Sequence, residues 1–183
     1  MRLYRQTVED FGLYTGMELS CEEYKKLCEA AGKMSAKMRA VRIVAASSVS
    51  KRDLTQRLIH KGESAADAEA AVSWMEELSL LDDSKTAQQI VSQCVAKGYG
   101  LARAKQALYE KRIPREFWAD ALADYPDQLD KIVSFLRSRL DEEATEKDVK
   151  RAVDALLRRG HSYGQIRRAL DQFKFDCGDF PED

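Results

Sequence analysis

The chain of 183 residues is poor in helix breakers, with three prolines and nine glycines in all. That scarcity excludes a turn-rich β-sandwich or barrel and favours long helical segments. Aromatic side chains make up only 8%. No apolar run approaches the roughly 20 residues that a membrane-spanning helix needs. The opening MRLYRQTVEDFG lacks an apolar signal-peptide core, so the cytoplasm is the expected compartment. Neither charge sign is in excess: 30 Lys and Arg against 31 Asp and Glu give a net charge of −1. Whole-chain attraction to nucleic acid is thereby excluded, and any such binding must come from local patches. Four cysteines offer no CxxC or Cys/His pairing. Cys21 and Cys28 lie two helical turns apart, too far for a disulfide, and Cys94 and Cys177 stand alone. Structural thiols are expected, with no metal and no cofactor. His60 and His161 each adjoin a glycine at a helix end and read as solvated turn residues.

What is present is an apolar fraction of 44% and a charged fraction of 33%. A chain of this length buries roughly 70% of its unfolded surface, enough for one domain or a short array of small units. Charge is separated into blocks. From Ser35 to Gly62 there are seven basic residues (Lys37, Arg39, Arg42, Lys51, Arg52, Arg57, Lys61) against Asp53 alone, and Glu63 to Asp83 carries seven acids and no base. Such blocks either orient a protein against a charged partner or are plain solvated helix faces.

Helix-start signals recur: Ser20 with Glu23, Ser50 with Asp53, Ser64 with Asp67, Thr145 with Asp148 and Ser162 with Gln165. In each, a hydroxyl can accept from an orphan amide at a helix start, and the later residue can reach back. Gly62 and Gly160 fall where helices should stop. Aligning these two glycines sets Leu58 on Leu156, Lys61 on Arg159, Ser64 on Ser162 and Ala71 on Ala169. The middle of the chain fits the same frame, with Leu108 on Leu58, Lys111 on Lys61 and Leu122 on Val72, at spacings of 50 and 48 residues. A fixed period of this size marks a stacked array of small helical units.

Each unit has a leading helix: residues 34–46, then DSKTAQQIVSQCVAK capped by Asp83, then PDQLDKIVSFLRSRL with Pro126 in its first turn. Ile90, Val91, Cys94 and Val95 form one apolar stripe, and Ile132, Val133, Leu136 and Leu140 another. The expected fold is all-α: three tandem three-helix repeats in an elongated curved array, after an N-terminal helix over 21–31. The expected boundaries are a leader at 1–33, repeats at 34–81, 82–125 and 126–175, and an acidic tail at 176–183.

The segment KGYGLARAKQALYEKR suggests a phosphate loop, but a dinucleotide fingerprint requires a third glycine and a preceding strand. Only GxG is present, after a helical stripe, so Gly98 and Gly100 read as a turn between helices. The acidic pairs Glu76-Glu77, Asp82-Asp83 and Glu142-Glu143 are sequence neighbours and do not converge on one substrate from a helix face. No catalytic set is expected.

Taken together, several segments resemble the RecX family of bacterial recombinase regulators. MEELSLLDDSKTAQQIVSQCVAKGYGLARAKQALYEKRIP carries Leu80-Leu81-Asp82-Asp83, Ala87, Gly98-Tyr99-Gly100, Lys111 and Ile113 in the family's order. SKRDLTQRLIHKG is similar to its first-unit signature, with Leu54, Leu58 and Lys61-Gly62, and FGLYTGMELSCEEYKKL resembles the leader of its low-GC Gram-positive members. The resemblance runs from about Phe11 to Phe173. Departures are Ala104 for a larger aliphatic, Ala107 for Glu, Arg112 for Gly and His161 for Phe. The resemblance implies a monomeric, non-enzymatic regulator that lies in the groove of RecA filaments and damps their ATPase, strand-exchange and coprotease activities. DNA binding without sequence specificity is also implied, and no membrane contact.

A partner surface is expected on the basic residues of corresponding helices: Arg52, Arg57 and Lys61; Arg103, Lys105, Lys111 and Arg112; Lys150, Arg151, Arg158 and Arg159, with Arg167 and Arg168 following. Such a strip suits DNA phosphates or an acidic filament face, with strong salt dependence. Tyr99, Tyr109 and Tyr163 are candidates for base stacking, whereas Trp74, Phe117 and Trp118 read as core. Two other readings stand beside this one: a helix-turn-helix DNA-binding regulator, and a protein-interaction scaffold without DNA contact. The helix-turn-helix reading rests on the turns at Gly62 and Gly160, but ESAADAEAAV after the first offers a groove no basic residue.

Overall fold

The computed structural model describes residues 3–141 and 144–177, with side chains as far as Phe173. The Glu142-Glu143 pair, the Cys177 thiol and the side chains of the acidic tail lie outside the described residues. Among those described the chain is all-α, with no strand. It divides into two compact units, residues 1–86 and 87–183.

The first unit contains α1 (Arg5–Asp10), α2 (Cys21–Ala46), α3 (Lys51–His60) and α4 (Ala65–Glu77). The expected leader helix and first repeat helix are therefore one continuous helix, α2. Gly32 does not break it, because Gly32 is a packing position: a Cβ there would sit 3.0 Å from Asp67 Oδ2 of α4. Ala36 and Ala40 of α2 and Ala68 and Ala71 of α4 are fully buried or nearly so, and small residues on both surfaces let the two helices pack closely. Leu54 and Leu58 of α3 and Met75 complete this core. Trp74 is half-buried against it, with the Lys37 ammonium 4.8 Å from its ring centroid. Ser20 makes a full capping box with Glu23, while Ser50 and Ser64 accept from the amides of Asp53 and Asp67.

Helix α5 (Asp83–Ala96) follows. Asp82, rather than the expected Asp83, caps it: Asp82 Oδ1 accepts from the amides of Ser84 and Lys85 at 2.9 and 3.1 Å. The amide hydrogen bond from Lys85 in particular holds the Asp82 carboxyl below its ordinary pKa. Asp83 is buried and accepts from the Lys51 amide at 2.8 Å, satisfying a donor at the start of α3. Burial pushes its carboxyl above the ordinary range despite that bond.

The second unit adds α6 (Leu101–Glu110), a 3₁₀ turn (Arg115–Phe117), α7 (Trp118–Leu122), α8 (Leu129–Arg137), α9 (Glu146–Arg158) and α10 (Tyr163–Cys177). It holds two apolar clusters. One joins Ala87, Ile90 and Val91 to Leu108 and Ile113, with Phe117 and Trp118 packed on its edge. The other joins Ile132, Val133 and Leu136 to Leu156, Ile166 and Phe173. Both expected stripes are buried, with Val95 partly so.

Helix α8 starts at Leu129, so Pro126 lies outside it and not in its first turn. The carboxylate of Asp127 is drawn instead to α10, accepting from Arg168 Nη2 at 2.9 Å and Gln165 Nε2 at 3.4 Å. Thr145 and Asp148 form a capping box at α9, and Ser162 and Gln165 cap each other's ends at α10.

The start of α6 meets the end of α9 backbone to backbone. Gly100 N–H donates to the Arg159 carbonyl at 2.9 Å, and Ala102 N–H to the Gly160 carbonyl at 3.2 Å. Orphan amides of one helix thus satisfy orphan carbonyls of another, with their dipoles favourably aligned. No side chain fits between them: a Cβ on Gly100 would lie 2.0 Å from Gly160 O.

His161 sits at this junction, and it is not the expected solvated turn residue. It is only 4% exposed, and its Nε2 lies 3.1 Å from the Gly98 carbonyl. A carbonyl only accepts, so the neutral ring carries its proton on Nε2. Burial lowers its pKa, outweighing the hydrogen bond to Gly98. His60, by contrast, is exposed. Tyr125 donates to the Tyr99 carbonyl at 2.6 Å, and burial pushes its hydroxyl up to about 12. Cys94 is buried, but Cys21 is exposed and therefore not the structural thiol expected.

Candidate functional site

The thirteen candidate cations are reached along α3, α6, α9 and α10, and their surroundings differ. On α3, Arg52 is exposed, while Arg57 is half-buried with Nη2 2.9 Å from Asp53 Oδ2. Lys61, the residue closing α3, is exposed. On α6, Arg103 reaches along its own helix to Glu110 Oε1 at 3.1 Å, and its backbone packs against Gly160. Hydrogen bonds from Gln106 and then Arg103 keep the Glu110 carboxyl low. Lys105 is exposed without an ion pair among the described residues. Lys111 is half-buried and Arg112 exposed, with Arg112 in a left-handed backbone conformation at φ 54°.

In the third group, Arg151 pairs with Asp148 at 3.2 Å and Arg168 with Asp127 at 2.9 Å. The guanidinium of Arg159 lies 4.7 Å from the Phe135 ring centroid, a cation–π contact that makes it largely structural. Lys150, Arg158 and Arg167 are exposed and have no ion pair among the described residues. About half of the candidates are thus engaged locally, and exposed pairs of this kind contribute at most about 1 kcal/mol each.

Two local groupings emerge. In the second unit, Lys150 of α9 and Arg167 of α10 flank a groove lined by Val149, Val153, Tyr163 and Leu170. In the first unit, Arg57 and Lys61 converge with Arg39 and Arg42 of α2 on one open cavity. Arg39 and Arg42 were not among the sequence candidates. Their signal was the basic block from Ser35 to Gly62, which holds all four, but only the packing of α2 against α3 shows them facing the same space. Of the candidate stacking residues, Tyr109 and Tyr163 are exposed and Tyr99 is half-buried. Among the described residues no group of three His, Cys, Asp or Glu is placed to hold a metal ion. Nor is any described helix long and apolar enough to cross a membrane.

The fold and these surfaces define an all-α protein whose exposed helix faces carry grouped cations. Solved structures share that fold. A crystal structure described as regulatory protein RecX superposes with a TM-score of 0.67 at 18% identity, covering 92% of this chain and 86% of the other. RecX from Lactobacillus salivarius gives the same TM-score and identity over 80% and 99%. In sequence, the regulatory protein RecX of Vibrio parahaemolyticus is 32% identical over 140 residues, 75% of this chain and 90% of the relative. That of Clostridioides difficile is 26% identical over 180 residues, 93% of this chain. No family model matches the chain. By its similarity to the Vibrio protein over nine-tenths of that protein's length, the chain belongs to the RecX family of regulatory proteins.

Proposed function

We propose that this protein binds RecA nucleoprotein filaments and lowers their ATPase, recombinase and coprotease activities, acting as a cytoplasmic monomer by binding and not by catalysis. The observation that carries the reading is membership of a family of regulatory proteins, through a relative matched over 90% of its length. The exposed, unpaired Arg52, Lys105, Lys150, Arg158 and Arg167 support it, because a cationic surface suits phosphates or an acidic filament face. The proposed organisation is three tandem repeats at 34–81, 82–125 and 126–175; the presence of three separate apolar clusters supports it.

The test is titration of the protein into RecA, single-stranded DNA and ATP, with ATP turnover followed. Turnover is expected to fall as the protein saturates the filament, and unchanged turnover sinks the reading. Sequence-selective duplex binding under the same conditions would favour a helix-turn-helix regulator instead. Arg103→Glu with Lys105→Glu is expected to weaken inhibition about tenfold, a loss of about 1.4 kcal/mol. Because Arg103 also packs on Gly160, Lys105→Glu alone is the cleaner variant, expected to weaken inhibition a few-fold with helicity unchanged.

A further inference from the structure

The cavity in the first unit has an uneven charge. It measures about 400 Å³, at the small end of ligand clefts, which run from roughly 300 to 1,000 Å³. Arg39 and Arg42 line it from α2, Arg57 and Lys61 from the end of α3, and no carboxylate lines it. Two of the four cations are braced from outside. Arg39 Nε lies 2.9 Å from Glu63 Oε1, its Nη1 donates to the Lys61 carbonyl at 2.7 Å, and Glu63 is held in turn by the Ser35 hydroxyl at 2.9 Å. Arg57 is held by Asp53 at 2.9 Å. These bonds fix the guanidinium groups while leaving some of their five N–H donors unused. Arg42 and Lys61 are exposed and have no ion pair among the described residues, so their charges stay unmatched.

Braced arginine forks beside a mobile ammonium suit a tetrahedral oxyanion, since Arg supplies directed donors and Lys a point charge. One further wall has a different chemistry. Tyr4, just before α1, is the only aromatic residue lining the cavity, and an aromatic face beside cations is how single-stranded nucleic acids are gripped: the ring stacks on a base while the cations hold the backbone. An acidic peptide would use the guanidinium groups but leave Tyr4 without a role. The geometry points to this cavity as a binding site for a nucleoside phosphate, presented free or as one residue of a single strand. The inference rests on the proposed function and deepens it by naming the part of a nucleoprotein that the first unit grips.

The test is fluorescence anisotropy of a labelled oligothymidylate with the full chain at two salt concentrations. Arg42→Glu with Lys61→Glu is expected to weaken binding at least tenfold and to make the logarithmic salt dependence shallower by about 2, one per lost phosphate contact. Tyr4→Ala is expected to weaken binding about fivefold with the salt dependence unchanged. Displacement of the label by thymidine monophosphate assigns the free nucleotide as ligand; displacement by unlabelled oligomer alone assigns the strand. Poly-glutamate competing as well as the oligomer, charge for charge, overturns the inference. So does wild-type affinity in the double variant; its fold is checked by circular dichroism, and the milder Arg42→Gln with Lys61→Gln is measured beside it. RecA turnover separates the two levels. Inhibition by a wild type whose strand binding survives the double substitution removes the cavity and leaves the proposed function. Strand binding lost in the variant, from a wild type that leaves turnover unchanged, does the reverse.

Discussion

Gly62 in the first unit and Gly160 in the second close equivalent helices, α3 and α9, and they share a backbone conformation, with φ at 91° and 86°. Their surroundings are opposite. A Cβ on Gly62 would meet nothing within 4 Å, whereas one on Gly160 would lie 2.3 Å from the backbone nitrogen of Arg103. The first glycine is required only by dihedral angles; the second is required by dihedral angles and by another helix. The equivalent position between them is Arg112, which takes the same left-handed turn with a side chain attached, at φ 54°. One sequence position therefore has three physical meanings.

The two tryptophans, Trp74 and Trp118, fall one in each unit, so Trp118→Phe and Trp74→Phe backgrounds report the units separately in denaturant. The largest expected effect is Gly160→Ala, about 3 kcal/mol or more from the second unit, since a backbone clash adds to the cost of a left-handed alanine. Gly100→Ala should approach it, although Gly100 has an ordinary negative φ of −79°; its loss isolates the close-approach contribution. Gly62→Ala should cost about 1 kcal/mol in the first unit. Equal losses at Gly62 and Gly160 would erase the distinction drawn between them.

A smaller change of opposite sign is expected from Arg112→Gly. Relief of the left-handed conformation, partly offset by the added chain entropy of glycine, should stabilise the second unit by up to about 1 kcal/mol. A denaturation midpoint that does not rise would show that the Arg112 side chain contributes as much as its backbone loses.

The subtlest difference between the units is pH dependence. An imidazole with a folded pKa below its unfolded value of about 6.5 binds fewer protons in the native state, so its stabilising contribution is complete above that value and is lost as pH falls toward the folded pKa. His161 has such a lowered pKa and belongs to the second unit. The Trp118 signal should therefore lose stability between about pH 6.5 and 5, and His161→Phe, which keeps an apolar ring in the buried site, should flatten that loss. Persistence of the full acid response in His161→Phe would remove His161 as its origin.

Local rules made the helix starts legible. Ser20, Ser50, Ser64, Thr145 and Ser162 all cap as their spacing predicts, because a cap is decided within four residues. The apolar stripes followed from the helical period in the same way. Readings failed where a distant partner decided the matter. Gly32 looked like a boundary but makes room for Asp67; Asp83 looked like the cap of α5 but serves α3; His161 looked solvated but finds the Gly98 carbonyl. In the candidate site, the basic residues were visible as residues, but which of them are spent on Asp53, Asp148 or Asp127 was not. Arg39 and Arg42 were overlooked because the strip was drawn along equivalent repeat helices, and α2 is the helix that departs most from the expected pattern.

The amides of Gly100 and Ala102 lie at a helix start, where backbone protons ordinarily exchange with solvent within the time of mixing. Here they are closed off by carbonyls of Arg159 and Gly160. Their exchange rates are therefore a clock for an event elsewhere: they slow only once the end of α9 has arrived. Two protons on one helix thus time the docking of another, with no label and no substitution at the junction they report.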